Sequence, residues 1–412
     1  MFFREARNRR LAQVSETMKR WNLRGLSVLA FAHGASDFYS GTVPFLIFWV
    51  VSSRHLSPVY QGVLGFVWYF TSSIVQPLFG YYSDRQGRWW FLPAAVLLTA
   101  CSVSMAGLST GLLPLAAVIV LGGLGSAVMH PEAGKYSAML SGQRKAGGIA
   151  IFQIGGQLGF AFGPVAISLV IARYGTRGSI LLLLPGLLAA AGLFVVMSRV
   201  ARSAAVMHGK HAPKLGSAKN VDQFGVGLLV GATGVKYLVG AAFITYLPNL
   251  LVARGASLAV AGEIVTAYLA VGILGMFAGG WLADRFGAIL ISVAALCGAV
   301  PLLLAFFVWQ GTAGMASLLC AGILLAVQNA PSVAIVQHML PRNLGMALGL
   351  MNGVAFGIGS ALVAVVGVVV GSAGPRAALQ GVSFLPLACA VCYVLVGRRL
   401  RHGGHVSAAS RA

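Results

Sequence analysis

Long apolar runs, each broken by a short polar or basic stretch, recur along the whole chain. A helix needs about 20 apolar residues to cross the hydrocarbon core of a bilayer. The pattern predicts helices near 26–50, 58–82, 89–109, 112–140, 147–172 and 178–199, and again near 224–252, 258–282, 287–308, 312–339, 343–370 and 376–397. None of the runs alternates with the period of two that a transmembrane barrel strand requires. The expected fold is therefore an all-α integral membrane protein with twelve transmembrane helices. Residues 1–25 read as a polar, basic tail, 200–223 as a polar linker without an apolar run, and 398–412 as a second tail. The linker separates two six-helix bundles, 26–199 and 224–397. The basic N-tail is not expected to be a cleavable signal peptide, because the apolar stretch after it is too long and lacks a small-residue cleavage site.

Composition fixes the solvent. Only 9% of the 412 residues are charged and 58% are hydrophobic, whereas a soluble domain carries about 25% charged residues. Fifty-four glycines suit helices that approach closely in lipid. A net charge of +21 on a soluble protein would suggest nucleic acid, but here the basic residues lie in the segments between apolar runs. No nucleic-acid partner is expected. With the N-terminus inside, 22 of the 29 Lys and Arg residues fall in cytoplasmic segments and five in outside loops. That asymmetry follows the positive-inside rule and predicts both termini cytoplasmic; the expected location is a bacterial-type inner membrane. The cysteines Cys101, Cys297, Cys320, Cys389 and Cys392 sit inside apolar runs and read as packing residues. There is no Walker loop, zinc constellation or nucleophile elbow, so neither an ATP-driven pump nor an enzyme is expected, nor any metal or cofactor.

The two halves repeat. Gly80-Tyr81-Tyr82-Ser83-Asp84-Arg85-Gln86-Gly87-Arg88 follows the second predicted helix, and Gly280-Trp281-Leu282-Ala283-Asp284-Arg285-Phe286-Gly287 follows the eighth. Arg144, Gly147, Gly155 and Gly159 match Arg342, Gly345, Gly353 and Gly357 at nearly the same offset. Parallel repeats of six helices are a transporter architecture, with substrate bound near the membrane midplane. The Gly-x-x-x-Asp-Arg-x-Gly-Arg loop resembles the signature loop of the major facilitator superfamily. Its glycines permit a tight turn. Its aspartate can pair with arginine or sit at a helix N-terminus, where the dipole favours an anion, so the loop is expected to act as a cytoplasmic gate. Ala288 replaces Arg88 in the second copy, which weakens that latch.

Further segments narrow the resemblance. Gly122-Gly123-Leu124-Gly125 leads to His130-Pro131-Glu132; Phe152-Gln153-Ile154-Gly155-Gly156-Gln157 leads to Gly163-Pro164; Val235-Lys236-Tyr237 and Leu340-Pro341-Arg342 follow later. Together they resemble the fosmidomycin resistance protein family, which implies proton-driven export of small molecules. The chain departs from the drug:proton antiporter pattern at Ile119, where an arginine is expected, and at Val165-Ala166-Ile167-Ser168, where the terminal glycines are missing.

Eight acidic residues are present, and only Asp37 and Glu132 fall well within a predicted span. An intramembrane charge costs about 2.5–3.5 kcal/mol on insertion scales, so its default reading is functional. His33 lies one turn from Asp37 on the same face. The repeat offset carries Asp37 to position 237, beside Lys236. A carboxylate and an ammonium thus occupy nearly equivalent places, either facing a common cavity or forming a permanent ion pair. Glu132 is either a proton carrier or a fixed partner of Lys135. His33 and His130, which titrate near neutrality, are candidate relays or packing residues. Gln153, Gln157, Tyr237, Tyr246, Asn249, Gln328, Asn329 and Asn352 form a polar set that lines a cavity or bonds between helices. The expected function is efflux of a small molecule or drug by proton antiport and alternating access, by a monomer. The alternative is a proton-coupled importer of a small anionic metabolite.

Overall fold

The computed structural model describes residues 22–76, 78, 79, 82, 88–141, 145–204, 222–340, 347 and 349–409. Every regular element among them is helical. In chain order they are α1 (Leu23–Ser53), α2 (Pro58–Tyr69, continued by the π-helical turn Phe70–Ile74), α3 (Phe91–Ala106) and α4 (Leu112–Leu140). Next come α5 (Lys145–Tyr174), α6 (Leu183–Ala204, led in by the 3-10 turn Thr176–Leu182), α7 (Gln223–Ala253) and α8 (Leu258–Phe286). The last are α9 (Ala288–Val308), α10 (Gly311–Val327 and Asn329–Met339), α11 (the π-helical turn Gly349–Ala355, then Phe356–Ala361 and Val363–Val382) and α12 (Leu385–Ala409). Eight helical stretches among the described residues are long and apolar enough to cross a membrane. One of these, Gly349–Arg401, contains two rods, because the backbone leaves helical geometry at Gly374 (φ 81).

The repeat seen in the sequence extends to backbone detail. α1 and α7 end in the same left-handed cap, with His55 at φ 54 and Gly255, 200 positions on, at φ 89. In both, the residue after the cap donates across the turn, Leu56 N to Val51 O and Ala256 N to Leu251 O, each at 3.0 Å. Such a cap satisfies carbonyls that a helix end otherwise leaves without partners. The next helices open alike: Ser57 Oγ accepts from Val59 N–H and Ser257 Oγ from Val260 N–H, both at 3.3 Å.

Small residues bring helices together at repeated positions. On α5, Gly155, Gly159 and Gly163 lie four residues apart and form one stripe. A Cβ added at Gly155 would lie 2.8 Å from Ala30 Cα, one at Gly159 2.7 Å from Gly34 Cα, and one at Gly163 2.6 Å from Gly41 C, so α5 meets α1 backbone to backbone. The counterpart is Gly359 of α11, which packs on the Gly234 backbone of α7. In lipid no hydrophobic force drives apolar helices together, so close van der Waals fit has to do it. Hydroxyls add ties: Tyr39 Oη donates to Leu182 O at 2.6 Å, and Ser179 Oγ to Ser104 O at 2.7 Å.

The chain packs as two compact units. The described residues of the first lie within Met1–Val43, Val75–Gly163 and Arg173–Pro213; those of the second lie within Pro44–Ile74, Pro164–Ala172 and Lys214–Ala412. The first is centred on Leu29, Leu92, Val96, Met129, Phe152 and Leu193. The second is centred on Leu229, Leu296, Val336, Met351, Tyr393 and Val396. Within the second, the Gln61 amide of α2 donates to the Thr245 carbonyl of α7, and Val165 N–H of α5 donates to Thr266 Oγ1 of α8 at 3.0 Å. Two helices contribute to both units, and each passes from the first unit to the second at a proline: before Pro44 in α1 and before Pro164 in α5. A proline inside a helix removes one hydrogen bond and bends the rod.

Most of the predicted linker, 205–221, lies outside the described residues. At its far end Asp222 caps α7, accepting from Gly225 N–H at 3.0 Å, and Arg399 of α12 grips both carboxylate oxygens at 2.8 and 2.9 Å. The Arg399 hydrogen bonds, then the Gly225 amide, hold the Asp222 carboxyl below the usual carboxylate range. Gly159→Val and Gly359→Val are each expected to destabilise the purified protein by about 1–3 kcal/mol through overpacking. Gly240→Ala, where an added Cβ meets nothing within 4 Å and helix propensity favours Ala over Gly, should leave the thermal unfolding midpoint unchanged or raise it.

Candidate functional site

The first unit gathers three ionisable side chains at one point. His33 and Asp37 sit one turn apart on α1, with Nε2 of His33 3.1 Å from Oδ2 of Asp37. His130, on α4, brings its Nε2 to 3.2 Å from Oδ1 of the same carboxylate. Both rings are fixed from behind. Nδ1 of His33 is 2.9 Å from Phe152 O, and Nδ1 of His130 is 2.8 Å from Ser126 O. A backbone carbonyl only accepts, so each Nδ1 donates. The Phe152 ring stacks on His33 at 4.0 Å and 17°. Gly156 makes room for that ring: a Cβ there would lie 2.5 Å from His33 Nε2. Side-chain exposure rises from 5% at His33 to 15% at Asp37 and 27% at His130, so the cluster opens on the His130 side. One side-chain nitrogen or oxygen from each of the three residues lies within 4.8 Å of the others. No sequence spacing announces this grouping, since His130 stands on a different helix.

The second unit holds the counterpart. Lys236 of α7 is buried, with 5% of its surface exposed. Its ammonium donates to Asn329 Oδ1 and lies 4.2 Å from the centre of the Tyr237 ring. The neighbouring Gln328, where α10 changes from one piece to the next, donates its amide to Tyr393 Oη of α12. Tyr393 Oη is 2.9 Å from Thr233 Oγ1. Among the described residues no carboxylate forms an ion pair with Lys236. The repeat offset of 200 maps His33 onto Thr233 and Asp37 onto Tyr237, and places His130 near Gln328 and Asn329. The same position thus carries a carboxylate with imidazoles in one half and an ammonium with amides in the other. Sequence does not single out Thr233, one of several hydroxyls along α7, or Tyr393 of α12.

The remaining candidates are distributed unevenly. Glu132 is fully buried on α4, near the buried Tyr136. Gln153 is half-buried, whereas Gln157 is exposed. Oδ1 of Asn249 and Oη of Tyr246 are buried without a hydrogen-bond partner. The side chains of Lys135 and Asn352 lie outside the described residues, as do Gly80, Asp84, Arg85 and Gly87 of the first loop motif. Arg88 is exposed, and its carbonyl accepts from Phe91 N–H at 2.9 Å. In the second motif Gly280 is half-buried and Asp284 is exposed. The Arg285 guanidinium lies over the Trp281 and Phe286 rings at 5.7 and 5.5 Å. Gly287 makes the α8–α9 corner at φ 94, a conformation that glycine adopts without cost.

Apolar helices of spanning length, a six-helix repeat and charges inside those helices define a polytopic transporter. The chain belongs to the Major Facilitator Superfamily, whose model matches residues 26–224 and 229–411. It is a multi-pass membrane protein that carries small molecules as a secondary transporter, not an enzyme. The uncharacterized MFS-type transporter YfnC of Bacillus subtilis (strain 168) is 27% identical over 379 residues, covering 90% of this chain and 92% of the relative. The fosmidomycin resistance protein of Escherichia coli (strain K12) is 28% identical over 389 residues, covering 91% and 93%. The fold is also similar to the crystal structure of a bacterial homologue of the human lysosomal transporter Spinster, inward-facing and occupied. That match has a TM-score of 0.68 at 16% identity, over 92% of this chain and 97% of that one.

Tyr393→Phe removes the hydroxyl that joins Thr233 to Gln328. Leaving buried polar groups unmade costs about 1–3 kcal/mol. The variant is expected to unfold at a lower temperature than the wild type, with Thr233→Val adding little once the hydroxyl is gone.

Proposed function

We propose that the chain exports a small molecule from a bacterial cell by exchanging it for protons across the inner membrane. In this reading two six-helix halves, 26–199 and 224–397, alternate access as a monomer, with both termini and the 200–223 linker in the cytoplasm. The observation that carries the proposal is the pair of polar clusters at repeat-equivalent positions, one built on Asp37 and one on Lys236. Ionisable groups inside a membrane are costly to insert and mark substrate or ion pathways. The similarity to the fosmidomycin resistance protein supports export and makes fosmidomycin the first compound to test. Glu132 is a second acid of the first half. Gln153, Tyr237, Asn249 and Asn329 supply hydrogen-bonding groups to the substrate. The Asp84 and Asp284 loops gate the cytoplasmic side.

A second reading, import of a small anionic metabolite, is favoured by one specific feature. Lys236 brings a buried ammonium that no carboxylate neutralises among the described residues, and an anionic substrate would do so. Vesicles of known orientation separate the two readings. In inverted vesicles with an acidified interior an exporter accumulates its substrate; an importer accumulates it only in right-side-out vesicles. Asp37→Asn and Lys236→Met are each expected to abolish transport at normal expression. Full transport in both variants would sink the assignment of these two residues.

A further inference from the structure

The His33–Asp37–His130 cluster contains an electrostatic mismatch that defines its occupant. Both Nδ1 atoms donate to backbone carbonyls, so a neutral imidazole at either position turns the lone pair of Nε2 outward. Each lone pair faces a carboxylate oxygen, at 3.1 Å for His33 and 3.2 Å for His130. Two acceptor-to-acceptor contacts around one carboxylate call for positive charge between them. Protons supply it only if two of the three groups are protonated, either both rings, with centres 5.1 Å apart, or one ring and the carboxyl. One divalent ion satisfies all three groups at once.

The geometry points to a binding site for a divalent transition-metal ion, ligated by His33 Nε2, His130 Nε2 and the Asp37 carboxylate. Metal–nitrogen bonds of about 2.0–2.1 Å separate neighbouring ligand atoms by about 2.9 Å at octahedral angles and about 3.3 Å at tetrahedral ones. The observed 3.1 and 3.2 Å fall between these values. A hydrogen bond from the far ring nitrogen to a backbone carbonyl is the usual support of a metal-bound histidine, fixing its tautomer and orientation. Here both histidines have it, and His33 is also held by the Phe152 ring. Two imidazoles and one carboxylate select ions such as zinc, cobalt, nickel or iron over magnesium and calcium, which take oxygen ligands. Three protein ligands leave coordination positions free, and the exposed edge at His130 gives water or the transported molecule access to them.

Cobalt(II) reports the site directly, because its visible absorption depends on its ligands. The purified full chain in detergent is titrated with cobalt. The wild type is expected to show one saturable equivalent with ligand-field bands, and zinc should displace it. His33→Ala and His130→Gln should each weaken binding by at least about tenfold, the lower end of what loss of a supporting contact alone costs. Gly156→Ala removes no ligand, yet its Cβ would press on His33 Nε2, so it should weaken binding comparably. Thermal unfolding midpoints close to wild type would establish that the variants are folded. Absence of a saturable band in the wild type overturns the proposal, as does a band that survives both histidine substitutions. Binding to purified protein is read without transport, so failure here is distinguishable from failure of the export reading.

Discussion

A charge carried into a lipid-embedded bundle has to find its partners inside the protein, and this constraint shapes the centre of both halves. Asp37 meets it with two imidazoles and Lys236 with an amide oxygen and a tyrosine face. An interhelical hydrogen bond in a membrane contributes about 0.6 kcal/mol on average, while each central charge costs about 2.5–3.5 kcal/mol to insert. Ordinary hydrogen bonding therefore does not offset the charges. They are retained against stability, which is the physical reason to assign them a task in transport.

Holding such groups in register requires rigid helices in close contact. The glycine stripe of α5 against α1, and Gly359 against Gly234, supply that contact. The α1–α5 seam has a direct consequence for the first cluster: Gly155 and Gly159 seat α5 on α1, while Gly156 and Phe152 of the same helix shape the space around His33. Packing and chemistry are thus carried by adjacent positions on one helix. The repeat conserves the seam and changes the side chains beside it, so similar frameworks present a carboxylate in one half and an ammonium in the other.

Much of the fold was legible because lipid makes the hydrophobic pattern so strict. α4 and α9 begin and end within a residue of the apolar runs that predict them. The repeated glycines and Asp-Arg turns announce the duplication, which the matching caps at His55 and Gly255 carry into backbone geometry. The break of α10 at Gln328 has its signal in Pro331, which has no N–H to give the carbonyl of Val327 four residues earlier, although the apolar run 312–339 reads straight through it. The kink inside α11 shows differently: Gly374-Pro375 marks it in sequence and in structure. Within the site, local spacing brings His33 to Asp37, because residues four apart share a helix face. It cannot bring His130 to Asp37 or Tyr393 to Gln328, since those pairings depend on which helices pack together. Nor does polarity alone reveal direction, as exposed Gln157 and half-buried Gln153 on the same helix illustrate.

The central claim is that the two clusters couple movement of a small molecule to movement of protons. Its most direct test is proton flux through purified protein in liposomes containing a trapped pH dye, with no imposed gradient. Adding a transported compound to one side should drive protons in the opposite direction at a fixed ratio to the compound moved. The flux should disappear when Asp37 and Lys236 are both neutralised. Transport of the compound with no accompanying proton movement would contradict the account.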